Sequence, residues 1–277
     1  MSTHFTGNNI RHDIRKVLVI TKYDILYFFR YKTNVIWLIA TPLVFTMTGL
    51  LLTMMFGEEE LTQIIKGNAS GPVFVLVGYL VFSFANYGWQ INNKIEREFN
   101  LGTLQYNFLL PYKKYLYLYG LCLGTVFSNG LFNGVLLILI LLIKAASLQS
   151  ILAGVLILLL ILIVYLGISL IMSGITLRAK KLGSLTNILT FVLQFLNGMV
   201  IPLRVFPTSV RSVLQFLPTS LAIDTFRSTA LHLESLYDKK IQILILMIYA
   251  IVFNIAGIML VKHAIRQIKV EGSLELY

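Results

Sequence analysis

The chain has 277 residues, 57% of them hydrophobic and only 13% charged, with a mean hydropathy of +0.80. A soluble globular domain carries roughly 25% charged residues. The deficit here falls in apolar runs of about twenty residues, which excludes a soluble enzyme or binding module and indicates a helical membrane protein. The formal charge of +11 would point to nucleic acid in a soluble protein; here basic residues flank apolar runs, where they hold the inner ends of membrane helices, and no nucleic acid is expected.

Residues 1–9 are polar and carry no short apolar core with a small-residue cleavage site, so the first span is expected to act as its own insertion signal. From Ile10 to Tyr31 the pattern is amphipathic. Ile10, Ile14, Val17, Leu18, Thr21, Ile25 and Phe28 recur at helical spacing, with Arg11, Arg15, Lys16, Lys22 and Asp24 on the other side. This suits a helix lying in the membrane interface, or a small helix packed on a partner. The expected organisation is a tail and interfacial helix (1–32), an all-α domain of six spans (33–262) and a tail (263–277).

Span one runs from Asn34 to Phe56, with Thr41-Pro42 as an expected kink. A loop with Glu58, Glu59 and Glu60 leads to span two, Pro72 to Asn92. The inner end of span two carries Asn86, Tyr87, Trp89, Gln90, Asn92 and Asn93. Asn86 and Trp89 are candidates for a cargo pathway, an interfacial belt of aromatics and amides being the alternative.

The most polar segment between two apolar runs follows, residues 93–111, with Lys94, Glu96, Arg97 and Glu98 inside five positions. Insertion alone does not require it. The helix of span two is expected to continue through Phe99 and stop at Leu101-Gly102, because glycine enters the left-handed region without steric cost. Thr103 can cap a short helix from Leu104 to Leu110, and Pro111 ends it. The result is an elbow presenting Leu104, Phe108 and Leu109 beside charges. It is read as a docking surface for a second protein that supplies energy, against a solvated, snorkelling helix end.

Span three, Tyr115 to Ile143, holds Gly120/Gly124 and Gly130/Gly134, small-residue pairs that let backbones approach, either at a dimer seam or within the subunit. Its Cys122, the lone cysteine, is read as packing. Span four covers Ile151 to Leu177. A fifth apolar run, Leu185 to Ile201, contains Asn187 and Asn197 as further pathway candidates. It gives way to Pro202, Pro207 and Pro218 amid apolar residues, read as short re-entrant helices in a segment spanning 202–240, with Asp224, Arg227, Glu234, Asp238, Lys239 and Lys240 in an outer amphipathic stretch. Span six covers Ile241 to Val261. Placing both termini inside puts 16 of the 23 Lys/Arg on the cytoplasmic side, as the positive-inside rule requires.

No phosphate-cradling G-x-x-x-x-G-K-[ST] loop, nucleophile elbow or zinc-helix motif occurs, and no His, Cys, Asp and Glu cluster has metal-ligand spacing. The centres of spans one to four and six carry no ionisable residue. A charge there costs roughly 2.5–3.5 kcal/mol, a cost that ion-coupled carriers accept for function. A secondary carrier or channel is therefore disfavoured, and an external energy source is expected; a membrane-embedded anchor for an ATPase is the further alternative.

Glu96-Arg97-Glu98, then Leu101-Gly102-Thr103-Leu104 and finally Pro111 resemble the E-R-E-x-G-T-L-x-x-x-x-x-P signature of type-2 ATP-binding-cassette (ABC) exporter permeases. Asn100-Leu101 stands between Phe99 and Gly102, where the family often has fewer residues. The amphipathic start, six spans and the Gly198…Pro202…Pro207…Pro218 stretch extend the resemblance over nearly the whole chain. It implies a multi-pass plasma-membrane subunit that pairs with a second copy or a sister permease and with two cytoplasmic ATPases. Those would hold the ATP and Mg; this chain would need no cofactor. The elbow becomes the coupling helix, with Glu96, Arg97 and Glu98 near its seat, Leu104, Phe108 and Leu109 filling it, and Gly102, Thr103 and Pro111 shaping it. The expected cargo is lipophilic or amphipathic: a drug, an antimicrobial peptide or a lipid-linked compound. A polysaccharide or glycolipid exporter is the alternative, with Tyr112, Tyr115, Tyr117 and Tyr119 the nearest thing to a sugar-lining aromatic row.

Overall fold

The computed structural model describes residues 5–65, 69–109, 113–143, 147–179 and 183–271, and among them every regular element is helical. In chain order these are α1 (Phe5–Arg30), α2 (Lys32–Phe56), α3 (Glu58–Ile65), α4 (Gly71–Asn100), α5 (Thr103–Leu109), α6 (Lys114–Ile143), α7 (Leu148–Ala179), α8 (Gly183–Leu196), a 3-10 turn (Leu203–Val205), α9 (Thr208–Leu214), α10 (Pro218–Ala230) and α11 (Lys239–Glu271). The helices α2, α4, α7 and α11 are long and apolar enough to cross a membrane, and α6 makes a fifth when its two limbs are taken as one. The α6 limbs meet at 45° between Ser128 and Phe132. The hydroxyls of Thr125 and Ser128 donate back to the carbonyls of Leu121 and Gly124, a pattern that bends helices.

The expected fifth span is shorter than the sequence pattern indicated. At 14 residues, α8 extends about 21 Å, against a hydrocarbon layer of about 30 Å. It stops because Gly198 turns left-handed at φ 79° and the Asn197 side chain accepts a bond from the Met199 amide at 2.9 Å, after which Pro202 cannot continue a helix. The expected proline kink in α2 is not a break: α2 runs continuously through Pro42.

The helix α4 lies at the centre. Its most apolar stretch is 75% buried, against 17% for α2 and for α11. Val77, Leu80, Val81 and Phe82 of α4 share a core with Ile161 and Tyr165 of α7 and with Leu221 and Phe226 of α10. A second core sits toward the elbow, joining Ile91 and Ile95 to Leu118, Leu177 and Val261. Cys122 is buried in it. Lipid tails are as apolar as leucine, so helices associate there through close packing rather than exclusion from water. The pair α7 and α11 meets this need with glycine: a Cβ on Gly257 would lie 2.6 Å from Leu170 Cβ and 2.9 Å from the Gly167 carbonyl.

The first helix is strapped to the bundle. Gly120 and Gly124 of α6 receive it: an added Cβ would meet Ile20 at 2.7 Å and Asp24 at 2.5 Å respectively. This glycine pair therefore serves packing within the subunit. Gly130 faces Phe84 in the same way, whereas Gly134 meets nothing within 4 Å. Thr21 donates to the Gly120 carbonyl at 3.1 Å. Asp24 accepts from Lys94 of α4 through both oxygens at 2.7 Å, and the same ammonium donates to Thr125 of α6 at 2.6 Å. Further along, Asp13 pairs with Lys113 at 2.7 Å, which holds the Asp13 carboxyl below its ordinary range. Lys113 is thereby engaged by α1.

Two outcomes follow from this packing. Gly257→Val, which overfills the α7–α11 seam at a typical cost of about 1–3 kcal/mol, is expected to lower the thermal midpoint of the detergent-solubilised chain, while Gly134→Val leaves it unchanged. Lys94→Met strands the Asp24 carboxylate, whose side chain is 8% exposed; an orphaned buried charge costs about 3–5 kcal/mol. Tryptic cleavage within α1 is expected to accelerate several-fold in that variant and to slow again when Asp24→Leu is added.

Candidate docking elbow

The elbow is built by the end of α4, a two-residue turn and α5. The helix α4 closes with the Leu101 amide on the Arg97 carbonyl at 3.0 Å and the Gly102 amide on the Phe99 carbonyl at 3.1 Å. Gly102 takes φ 69°, a conformation that a side chain would strain. Thr103 begins α5 and is not its cap: its hydroxyl reaches back to the Glu98 carbonyl at 3.3 Å, satisfying one of the orphan acceptors at the end of α4.

Side chains then fix the angle between α4 and α5. Tyr117 of α6 donates to Glu98 Oε1 at 2.5 Å, and the Asn107 amide of α5 reaches Tyr117 Oη at 2.8 Å and Glu98 Oε2 at 3.4 Å. One carboxylate thus joins three helices. The ring of Phe108 lies 5.9 Å from Lys114 Nζ, and Arg97 sits 6.0 Å from the Tyr27 ring of α1.

The residues expected at the docking face therefore divide. Leu104 is 1% exposed and belongs to the second core, so it anchors the elbow from within and cannot fill a partner's groove. Glu98 is half-buried and turned toward Tyr117 and Asn107. Glu96 and Phe108 are half-buried and Arg97 is exposed. The Leu109 side chain and Pro111 lie outside the described residues. The most exposed apolar groups here are Tyr106, at 74%, and Leu101, at 64%. Neither stood out in sequence. The signal was present for Tyr106: once Leu104 and Phe108, four apart, face inward, position 106 lies on the opposite side of the helix.

The pathway candidates are scattered. Asn187 is exposed on α8, Asn86 is half-buried on α4, and the Trp89 side chain lies outside the described residues. Asn197 is fully buried and bonded to Met199, which makes it a turn former.

At the far end of α4 the expected outer amphipathic stretch is also corrected. Arg227 of α10 is 5% exposed. Its Nη1 donates to the Gly198 carbonyl at 2.7 Å, and its Nη2 to the carbonyls of Phe74 at 2.6 Å and Met199 at 2.9 Å. The guanidinium carbon lies 3.5 Å from the centroid of the Phe74 ring. Nearby, the Asp224 carboxylate accepts from the Leu236 amide at 3.0 Å and from the Gln242 side-chain amide at 2.5 Å. A cavity of about 40 Å³ borders Phe74, Asn197, Asp224 and Arg227. Small-molecule sites occupy about 300–1,000 Å³, so this space suits a few waters and not a cargo.

The family model described as ABC-2 type transporter matches residues 15–231, from within α1 to the end of α10. No curated protein matches the chain. The match takes in most of the strapped first helix, the central α4, the elbow and the Arg227 socket, and ends before α11. The chain belongs to the ABC-2 type transporter family and is a multi-pass membrane subunit of an ABC transporter.

Proposed function

We propose that the chain is the permease of an ATP-driven exporter, working as a pair of permeases, identical or sister, with two cytoplasmic ATPase subunits that hold the ATP and Mg. The observation that carries this reading is the elbow. It is braced internally by Glu98, Tyr117, Asn107 and Leu104, and it presents Leu101 and Tyr106 outward beside Arg97. A rigid apolar tip flanked by charge, beyond the end of an apolar helix, fits a groove on a second protein. The elbow end faces the cytoplasm in this reading, with both termini, in the plasma membrane. The six-crossing layout is completed by α8 and the turn after it as a short fifth crossing, with α9 and α10 re-entering from outside.

The cargo is lipophilic or amphipathic, in keeping with the apolar helices. Sugar export loses its main support: Tyr117 bonds Glu98 and Tyr119 bonds Asn254 at 2.5 Å, which draws these hydroxyls into the fold.

Leu101→Asp combined with Tyr106→Asp is expected to leave membrane insertion intact and to reduce co-purification of the ATPase at least tenfold. Undiminished recovery of the ATPase with that double variant would place the docking surface elsewhere.

A further inference from the structure

The apolar contacts of α10 already seat it on α4: Leu221, Ala222, Ile223 and Phe226 are buried in the main core. Arg227 adds something that burial does not need. Its fork takes three carbonyls, one from α4 and two from the turn after α8, across 153, 28 and 29 residues of sequence. The socket is shaped for a plane. The Phe74 ring covers one face, Gly198 supplies a left-handed turn, and Gly78 leaves the space: a Cβ there would land on the guanidinium and 2.9 Å from the Met199 carbonyl. A lysine ammonium, a point donor on a flexible stem, cannot take three carbonyls in one plane and stack at once. The acceptors are carbonyls with no charge of their own, so withdrawal leaves behind groups that water or a helix can satisfy. Such a contact is directional and reversible, unlike a packed apolar seam.

Phe74 and Gly78 lie in the first turns of α4, and Arg97 and Glu98 in its last. The helix is 30 residues long, about 45 Å, and is the most buried of the long helices. A displacement at the elbow is therefore delivered to the Arg227 socket along one rod. Resting on the exporter reading above, the geometry points to Arg227 as the pin of a latch at the far end: seated, it fixes α10 and the Gly198 turn against α4; when the elbow draws α4 away, Phe74 leaves the guanidinium and the far end of the molecule opens. Arg227 is a positioning residue in this scheme and touches no cargo.

The test is hydrogen–deuterium exchange on the full chain co-purified with its ATPase in nanodiscs, without nucleotide and with ATP plus vanadate. In the wild type, peptides covering 71–82 and 218–231 are expected to exchange at least tenfold faster in one nucleotide state than in the other, with peptides from α7 unchanged. Arg227→Lys and Gly78→Ala are both expected to exchange fast at these peptides in both states, with ATPase recovery unaltered. Gly78→Ala keeps the arginine and adds one methyl, so it carries the test if Arg227→Lys does not fold. Exchange that is equal in the two nucleotide states of the wild type overturns the latch, as does wild-type nucleotide dependence in either variant, since a merely structural arginine would change stability without abolishing the difference between states. Absence of any ATPase from the preparation overturns the exporter reading and the latch together.

Discussion

A single ammonium group, that of Lys94, holds three helices together where the chain leaves the apolar layer. It gives both oxygens of Asp24 on α1 a partner and reaches Thr125 on α6, so its position fixes α4 relative to both neighbours. Lys94 stands at the start of the elbow segment, whose aim depends on that knot. With α4 anchored there, Glu98 can meet Tyr117 and Asn107, Leu104 can enter the second core, and Leu101 and Tyr106 are left on the outside. An ion pair sheltered in this way holds geometry better than it adds stability, since desolvation offsets much of the attraction.

The two ends of α4 solve one problem with different chemistry. Each must accommodate a cation beside an apolar core. Near the elbow a lysine suffices, because its partners are a carboxylate and a hydroxyl grouped around one point. At the other end the partners are three backbone carbonyls and a ring, spread across a plane, and only the guanidinium matches them. Between these ends the described side chains of α4 are mostly buried. It therefore joins the elbow to the Pro-rich segment that packs on its other end, with α7 packed alongside it.

Much of this was legible in sequence. The length of the apolar runs located the starts of the long helices to within a few residues, although α11 runs ten residues past the expected end of span six at Val261, and the run of Lys94, Glu96, Arg97 and Glu98 before Gly102 marked the elbow. What could not be read was which way the side chains turn. Leu104 looked like a docking residue because it is apolar and next to charge, yet in a seven-residue helix one face must close on the body of the protein, and only the third dimension says which. Asp224 and Arg227 looked like solvated charges for the same reason: their partners are backbone carbonyls, a backbone amide and a glutamine, which carry no pattern in a sequence. The glycine pair at 120 and 124 was visible, but its occupant lies about a hundred residues earlier. The 14-residue α8 was overestimated because apolar residues continue past Asn197, while the backbone turns there on Gly198.

The strap of α1 has a consequence for how the protein is made. Every group that holds this helix in place is synthesised after it: Lys94 comes 70 residues after Asp24, Gly120 comes 99 after Thr21, and Lys113 comes 100 after Asp13. Until α4 and α6 emerge, these contacts cannot form. Its apolar residues, among them Leu18, Tyr23 and Leu26, remain exposed even in the finished fold. The order of synthesis makes the first helix one of the last to be locked in place, because its glycine groove and both of its lysines must emerge before it can close.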